Sequence, residues 1–346
     1  GPAINADYAI VWQPPAKLFE RETRLKAVFN LGAGIDGLLK VPNLPADLTV
    51  VRLEDAGMSV QMAEHVLHQI LEVSRQMELY RDQQRQRLWK IHRPISRKEW
   101  PIGIMGLGHI GKRVASTLAS LDYTVNGWAR SEHTVEGVRT FAGNGQLGEF
   151  LGATRVLVNT LPLTSETENI LNYDLFSQLQ PGAVLINVGR GEHLVEEDLL
   201  RALNEEKLQR ASLDVFRKEP LPAGHPFWER TDITITPHIS ARTLRDATLE
   251  QITGKIRDHA SGRAITGIVD ITRGYRLTRE PILPVNPRPA EVPQTPPAIT
   301  ATAAPPARQK HRSTERPLRC GKPDQTVTAT SPTARTATPS LPVRNQ

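Results

Sequence analysis

The stretch WPIGIMGLGHIGKRVASTLASLDYTVNGWAR, residues 100–130, decides the fold of this chain. Its apolar run from Ile102 to Met105 predicts a short buried strand, and the apolar spacing from Ile110 to Leu121 predicts a helix. Between them lies the pattern GxGxxG, formed by Gly106, Gly108 and Gly111. Such glycines allow a tight turn, a close approach of the backbone to a pyrophosphate, and close packing of helix on strand. A surface loop would explain the six residues alone, but the flanking elements favour a dinucleotide-binding unit.

The end of the next predicted strand, Thr124 to Trp128, bears on which dinucleotide binds. NAD-selective sites usually place Asp or Glu there, about 20 residues beyond the glycines, to accept a hydrogen bond from the ribose 2′-hydroxyl. Here Ala129 holds that place, and Arg130 and Ser131 follow it. A guanidinium and a hydroxyl can bind a 2′-phosphate, so NADP(H) is the expected cofactor and NAD(H) the alternative. An ordinary exposed arginine is the other interpretation of Arg130.

The positive charge of the chain is concentrated at one end. The 346 residues carry a net charge of +6, and residues 276–346 alone carry +7, which leaves −1 for residues 1–275. The same segment holds 14 of the 27 prolines and shows no apolar periodicity, so we expect a disordered tail. Because the basic character belongs to this tail, no specific nucleic-acid partner is expected.

Cysteine content and hydropathy exclude further classes of protein. The single cysteine, Cys320, lies in the tail, so neither disulfides nor a cysteine-based metal site can hold the fold, and no metal is expected. No apolar run approaches 18 residues, and a charged leader followed by an apolar region is missing at the N-terminus. We therefore expect a cytoplasmic protein that does not bind membranes.

Short apolar runs elsewhere predict a parallel, doubly wound α/β sheet. We expect further strands at residues 8–12, 25–31, 49–53, 156–160, 184–188, 211–215 and 233–236. A helix is expected over Glu196 to Asn204, and a long one from an N-cap at Ser59 through Met77. The long helix suits a connector between domains or an oligomer seam.

Charged side chains follow successive predicted strands, where doubly wound sheets bind their ligands. Arg190, Glu219 and His238 are the three that can carry chemistry. Taken singly, Arg190 can be a surface charge, Glu219 a loop acid and His238 one of ten histidines. Together the three predict a single cleft. The turn from Gly32 to Asp36 exposes backbone N–H groups that either receive a carboxylate or simply form a tight turn.

Nine motifs, taken in order, resemble a known enzyme family. GLGHIG, LPLT, NVGRG, DVFRKEPLP and TPHIS resemble the D-isomer-specific 2-hydroxyacid dehydrogenases. DYAIVWQPP, LGAGID, RLEDAGM and VDITRGY resemble, within them, the glyoxylate/hydroxypyruvate reductase A group. The resemblance covers residues 7–275. Family members normally begin with a further strand, helix and strand and end near Tyr275, so we expect a first domain that is incomplete at its N-terminus and an unrelated tail.

The resemblance implies a doubly wound Rossmann dinucleotide-binding domain inserted into a smaller flavodoxin-like substrate domain. The implied boundaries are 1–57 for the first part of the substrate domain, 58–240 for the NADP-binding domain, 241–275 for the return to the substrate domain, and 276–346 for the tail.

The resemblance also implies roles for individual residues. The catalytic residues would be Arg190, Glu219 and His238. Substrate would contact Trp12, Ala33, Gly34 and Arg190. Cofactor would contact Gly106, Gly108, His109, Ile110, Gly111, Arg130, Ser131, Leu161, Pro162, Val188, Gly189, Asp214 and Ser240.

The implied activity is reduction of a small 2-oxo acid, glyoxylate to glycolate or hydroxypyruvate to glycerate, by hydride from NADPH. His238 would donate the proton, Glu219 would orient its ring, and Arg190 would hold the carboxylate. A bulkier 2-oxo acid, a non-catalytic dinucleotide-binding module and an inactive remnant are the alternatives. A homodimer is expected.

Overall fold

The computed structural model of this protein describes residues 3–32 and 34–271. Three features predicted from the sequence lie outside the described residues: the tail 276–346, Cys320 within it, and Ala33. All described residues fall within one compact unit of the chain. The domain boundaries at 57/58 and 240/241 therefore stay predictions.

Two parallel sheets form the frame of the described chain. The smaller sheet has the order β1-β2-β3, and the larger one has the order β10-β9-β8-β7-β4-β5-β6. The strands are β1 Tyr8–Val11, β2 Ala27–Asn30, β3 Thr49–Val51, β4 Ile102–Met105, β5 Val125–Ala129, β6 Val138–Ala142, β7 Val156–Asn159, β8 Ala183–Asn187, β9 Leu208–Leu213 and β10 Ile233–Ile235. Every pairing within these sheets is parallel, which confirms the predicted fold class.

Helices cover both faces of the large sheet, as near-continuous apolar strands require. They are α1 Lys17–Arg21, α2 Asp36–Leu39, α3 Met58–Ser74, α4 Met77–Arg85, α5 His109–Ala119, α6 Leu147–Gly152, α7 Tyr173–Phe176, α8 Glu196–Asn204 and α9 Arg245–Ala260. The core on one face contains Phe150, Phe176 and Leu199, from α6, α7 and α8. The core on the other face contains Val66 and Val114, from α3 and α5, so the sheet is doubly wound.

The small sheet is also buried on both faces. Val28 packs with Val50 on one face, whereas Phe29 packs with Val51 on the other. Ile252 of α9 belongs to the second of these cores, so the chain returns to the small sheet after it has formed the large one. Ala241 packs on a core of the large sheet, and α9 and the residues after it pack on the small sheet.

Two details of the predicted long helix are wrong. The N-cap is Gly57 and not Ser59, because the carboxylate of Asp55 accepts hydrogen bonds from both the backbone N–H and the hydroxyl of Ser59, which lies inside α3. The helix also ends at Ser74, since Gln76 adopts a left-handed backbone (φ 54°) and Met77 begins α4.

Several predicted boundaries shift by a few residues. The strand expected at 211–215 is β9, which begins at Leu208 and ends at Leu213. The helix expected from Ile110 to Leu121 runs from His109 to Ala119. The strand expected from Thr124 begins at Val125 and includes Ala129, so Arg130 is the first residue beyond its end. The helix from Glu196 to Asn204 is confirmed at both ends.

Candidate active site

Three buried polar side chains stand where adjacent strands of the large sheet end. Asn159 closes β7, Asn187 closes β8 beside it in register, and Asp214 follows β9. All three are fully buried. Buried polar groups need hydrogen-bond partners, and these three find theirs in the loops that follow the strands. Of the predicted catalytic residues, Arg190 and Glu219 lie on the loops after β8 and β9, and His238 lies on the loop after β10 that Asp214 contacts.

Arg190 follows Asn187 and is held at both its backbone and its guanidinium. Asn187 Nδ2 donates to the Arg190 carbonyl oxygen (3.2 Å). The Arg190 guanidinium donates from Nε to Asp36 Oδ1 (3.1 Å) and from Nη1 to the Gly189 carbonyl oxygen (2.7 Å). Only about 28% of the Arg190 side chain is exposed, so the charge is partly desolvated and already has one anionic partner.

His238 and Glu219 form the second half of the site. His238 Nδ1 lies 2.8 Å from Glu219 Oε2, and Glu219 Oε1 accepts a hydrogen bond from the Phe216 backbone N–H (3.0 Å). A carboxylate fixed in this way orients the imidazole. Among the described residues, His238 Nε2 has no partner, so this nitrogen is available to a ligand in the cavity.

Asp214 holds the turn that carries His238. Its Oδ1 accepts from the Thr236 hydroxyl (2.6 Å) and the Ile239 N–H (2.9 Å), and its Oδ2 accepts from the Ser240 N–H (2.9 Å). His238 itself adopts a left-handed backbone with φ 55°. A non-glycine residue in this region typically costs about 1–3 kcal/mol and persists only where its surroundings impose it. Asp214 is the group that imposes it here.

A cavity of about 590 Å³ joins the two sheets' loops. Ten predicted site residues line it: Trp12, Gly34, Ile110, Leu161, Pro162, Val188, Gly189, Arg190, His238 and Ser240. Eight others do not line it: Gly106, Gly108, His109, Gly111, Arg130, Ser131, Asp214 and Glu219. Asp214 is fully buried, and Glu219 reaches the cavity only through His238.

The loop after β4 fits a dinucleotide. Gly106 has φ 101°, and a Cβ on Gly111 would overlap the Gly106 carbonyl oxygen, so both positions need glycine. Gly108 precedes α5 with no described atom within 4 Å of the place of a Cβ, which leaves room for a pyrophosphate at the helix N-terminus. Gly106, Gly108, His109, Ile110 and Gly111 therefore form the candidate pyrophosphate cradle.

Arg130 is the first residue beyond β5, the strand that pairs with β4. It is exposed, and its Nη1 lies 3.2 Å from Glu166 Oε2. Exposed ion pairs of this kind contribute little to stability, so a 2′-phosphate can replace the carboxylate at small cost. Ser131 follows at the surface.

Sequence reasoning missed several residues of the site. Asp36 pairs with Arg190, and the only sequence signal was its place after a small-residue turn. The Thr160 hydroxyl donates to the Gly106 carbonyl oxygen (2.8 Å) and so ties β7 to the glycine loop. Met58, Met62 and Arg242 line the cavity as well.

Neither a metal-binding cluster nor a membrane-spanning helix is found in the described part of the chain. Its residues contain no group of three or more His, Cys, Asp or Glu side chains that could hold a metal ion. Across residues 3–32 and 34–271, no helix is both long and apolar enough to cross a membrane.

Comparison with known proteins identifies the family. A family model for the D-isomer-specific 2-hydroxyacid dehydrogenase NAD-binding domain matches residues 67–240. The chain is also 46% identical over 280 residues to a glyoxylate/hydroxypyruvate reductase A from Yersinia enterocolitica, which covers 80% of this chain and 90% of that protein. This chain belongs to the D-isomer-specific 2-hydroxyacid dehydrogenase family. The family predicted from the motifs is therefore confirmed.

Solved structures resemble this dehydrogenase in fold and in sequence. An NADPH-dependent glyoxylate/hydroxypyruvate reductase from Sinorhizobium meliloti, in complex with NADP and sulfate, has a TM-score of 0.75 and 38% identity over 78% of this chain and 86% of that chain. A D-isomer-specific 2-hydroxyacid dehydrogenase from Xanthobacter autotrophicus Py2, in complex with NADPH and MES, gives the same score and identity over 78% and 85% of the two chains.

Gly34→Ala should disable this dehydrogenase without unfolding it. A Cβ at this position would overlap Nη2 of Arg190, and the guanidinium is a side-chain end that can move away. The sequence predicts that Arg190 holds the substrate, and a shift of about 1 Å in such a group can reduce activity roughly 100-fold, so dehydrogenase activity should fall by about that factor while Tm changes little. Gly254→Ala is the matched control, because no described atom outside the glycine's own stretch of α9 lies within 4 Å of its Cβ site. Full activity of Gly34→Ala would show that Arg190 need not keep its observed position.

The stability of this dehydrogenase should fall in acid because of His193. Burial lowers the pKa of this fully buried imidazole from 6.5 to about 4. Between these values the unfolded chain binds a proton that the folded chain does not, so the free energy of unfolding should decrease by about 3 kcal/mol as pH falls from 6.5 to 4. Urea titrations at several pH values measure this. His193→Gln should lack this part of the pH dependence; an unchanged slope would refute the assignment.

Proposed function

We propose that this dehydrogenase reduces small 2-oxo acids with NADPH, converting glyoxylate to glycolate and hydroxypyruvate to glycerate. The observation that carries the proposal is the cavity that Arg190 and His238 line together, with Glu219 at 2.8 Å behind His238. The reductases to which the chain is similar support the same activity. Oxidation of NADPH, followed at its absorbance with glyoxylate as substrate, tests the proposal directly.

The proposed mechanism divides the reaction between two side chains. Bound NADPH supplies the hydride that the C2 carbonyl carbon accepts. Arg190 holds the substrate carboxylate and polarises the carbonyl oxygen, where negative charge develops. His238, protonated at the start, gives a proton from Nε2 to that oxygen, and Glu219 keeps the ring oriented for the transfer. Trp12 and the backbone at Gly34 form the wall on the substrate side.

The cofactor preference is assigned to Arg130 and Ser131. Strand β5 ends at Ala129, where an NAD-selective site usually has Asp or Glu, and Arg130 follows the strand directly. Leu161, Pro162, Val188, Gly189 and Ser240 line the cavity where the nicotinamide would lie. We propose NADP(H) as the preferred cofactor and NAD(H) as the weaker one.

We also propose that this protein forms a homodimer and that it is located in the cytoplasm. Leu88, Trp89 and Ile91 follow α4 in a segment that is neither helix nor strand, and Trp89 is 95% exposed. Large exposed apolar groups in a row mark a protein contact, and a second copy of this chain is the proposed partner. Sedimentation equilibrium measures the mass, and a monomer at micromolar concentration would exclude the dimer. Cell fractionation tests the location.

Replacing His238 should remove turnover and spare cofactor binding. Asn is the suitable replacement because it tolerates the left-handed backbone that His238 adopts. General acids typically contribute roughly 100- to 10,000-fold, so kcat of His238→Asn should fall by that range while the Kd for NADPH stays near that of the wild type. Glu219→Gln should lower kcat less. His225→Gln, at a histidine outside the cavity lining, is the control. Near-normal turnover of His238→Asn would refute the proton-donor role.

Replacing Arg130 should narrow the preference for NADPH over NADH. Its guanidinium is the proposed partner of the 2′-phosphate, and a charged hydrogen bond to phosphate is worth about 1.5–3 kcal/mol. Arg130→Ala should therefore lower kcat/KM for NADPH roughly 10- to 100-fold and leave the value for NADH unchanged. Arg201→Ala, at an exposed arginine of α8, is the control. A wild type that prefers NADH would contradict the assignment.

A further inference from the structure

One fully buried histidine, His193, touches two of the loops that carry the proposed site. Its Nδ1 lies 2.9 Å from Asn159 Nδ2 and accepts a hydrogen bond from the Arg190 backbone N–H (3.1 Å). Its Nε2 lies 3.2 Å from the Pro162 carbonyl oxygen. His193 does not line the cavity, so it cannot touch a substrate there. Its contacts nevertheless join the loop after β7 to the loop after β8.

The partners fix the protonation state of the ring. An amide N–H₂ and a backbone N–H both point at Nδ1, so this nitrogen carries no hydrogen and acts as an acceptor. A carbonyl oxygen faces Nε2, so this nitrogen carries the hydrogen. Neutral imidazole with its hydrogen on Nε2 is the form that satisfies every contact. A charged ring would direct a second N–H at two donors.

The surroundings leave His193 little freedom to move. Asn159 Nδ2 also donates to Asn187 Oδ1 (2.9 Å), which in turn accepts from the Gly189 N–H (3.2 Å). A Cβ on Gly189 would lie 2.8 Å from Asn159 Nδ2 and 3.0 Å from His193 Nδ1. The backbone that leads into Arg190 is therefore packed directly against the imidazole and the amide.

We propose that His193 is a positioning residue whose neutral, Nε2-protonated ring sets the distance between Arg190 and the nicotinamide-side loop at Pro162. The proposal rests on the proposed function, because it assigns Arg190 to the substrate and Pro162 to the cofactor. Nδ1 supports the substrate side through the Arg190 backbone. Nε2 supports the cofactor side through the Pro162 carbonyl.

Two amide replacements test the contact of Nδ1 and the contact of Nε2 separately, since each reproduces one ring nitrogen. Oδ1 of Asn takes the place of Nδ1, so His193→Asn keeps the acceptor for Arg190 and loses the donor to Pro162. Nε2 of Gln takes the place of the ring Nε2, so His193→Gln keeps the donor and loses the acceptor. A lost hydrogen bond of this kind typically costs about 1 kcal/mol, which corresponds to roughly fivefold to tenfold.

The two variants should therefore fail in opposite ways. His193→Asn should weaken NADPH binding roughly fivefold to tenfold, measured by the fluorescence of the bound nicotinamide, with KM for glyoxylate close to that of the wild type. His193→Gln should bind NADPH as the wild type does and show kcat/KM for glyoxylate lowered by a similar factor. His225→Gln should change neither, because His225 pairs with Glu196 (3.2 Å) outside the cavity lining.

Equal losses of NADPH affinity and of kcat/KM for glyoxylate in both variants would overturn the proposal. No change in either quantity would also overturn it, since a histidine with a merely structural role would change Tm alone. NMR of ¹⁵N-histidine in the wild type gives an independent measurement that needs no variant: a neutral ring with its hydrogen on Nε2 is expected for His193, and a charged ring or the other tautomer would also overturn it. Failure of the wild type to reduce glyoxylate would refute the proposed function instead. The NADPH-binding and NMR results would still decide the role of His193.

Discussion

The site depends on the hydrogen bonds that buried polar side chains make at the ends of three adjacent strands. Asn159, Asn187 and Asp214 stand where the sheet would otherwise leave loop N–H and carbonyl groups without partners in a dry interior. Such groups are costly when unpaired, so the loops settle in the one arrangement that satisfies them. Arg190 and His238 acquire their positions from that arrangement.

Positioning and chemistry are therefore assigned to different kinds of group. Apart from the Asp214 carboxylate, the buried framework consists of neutral amides, a neutral imidazole and backbone groups, whose geometry does not respond to salt. The two pairs of acidic and basic side chains, His238 with Glu219 and Arg190 with Asp36, are partly exposed. At partly exposed positions an ionic interaction is still strong enough to bind the proposed substrate, and it is weak enough for the substrate to replace one partner of a pair.

The sequence predicted what is local along the chain, and it failed where contacts join distant residues. The glycine pattern, the apolar strands and the order of Arg190, Glu219 and His238 are local signals, and the structure brings Arg190 and His238 to one cavity as expected. The contact of Asp36 with Arg190 joins residues 154 positions apart, and no spacing rule reveals it. Strand β6 was missed for another reason: it is an edge strand in which only Phe141 is buried, so it lacks the apolar run that marks its neighbours.

The left-handed backbone of His238 limits which residues evolution can place there. Glycine, asparagine and aspartate adopt this conformation with the least strain, and a histidine persists because the Asp214 hydrogen bonds impose the turn. Selection for folding alone would favour drift toward the less strained residues. In the proposed mechanism proton transfer is what requires a histidine at this position, so its loss in a chain of the same fold would mark a lineage that no longer uses that step.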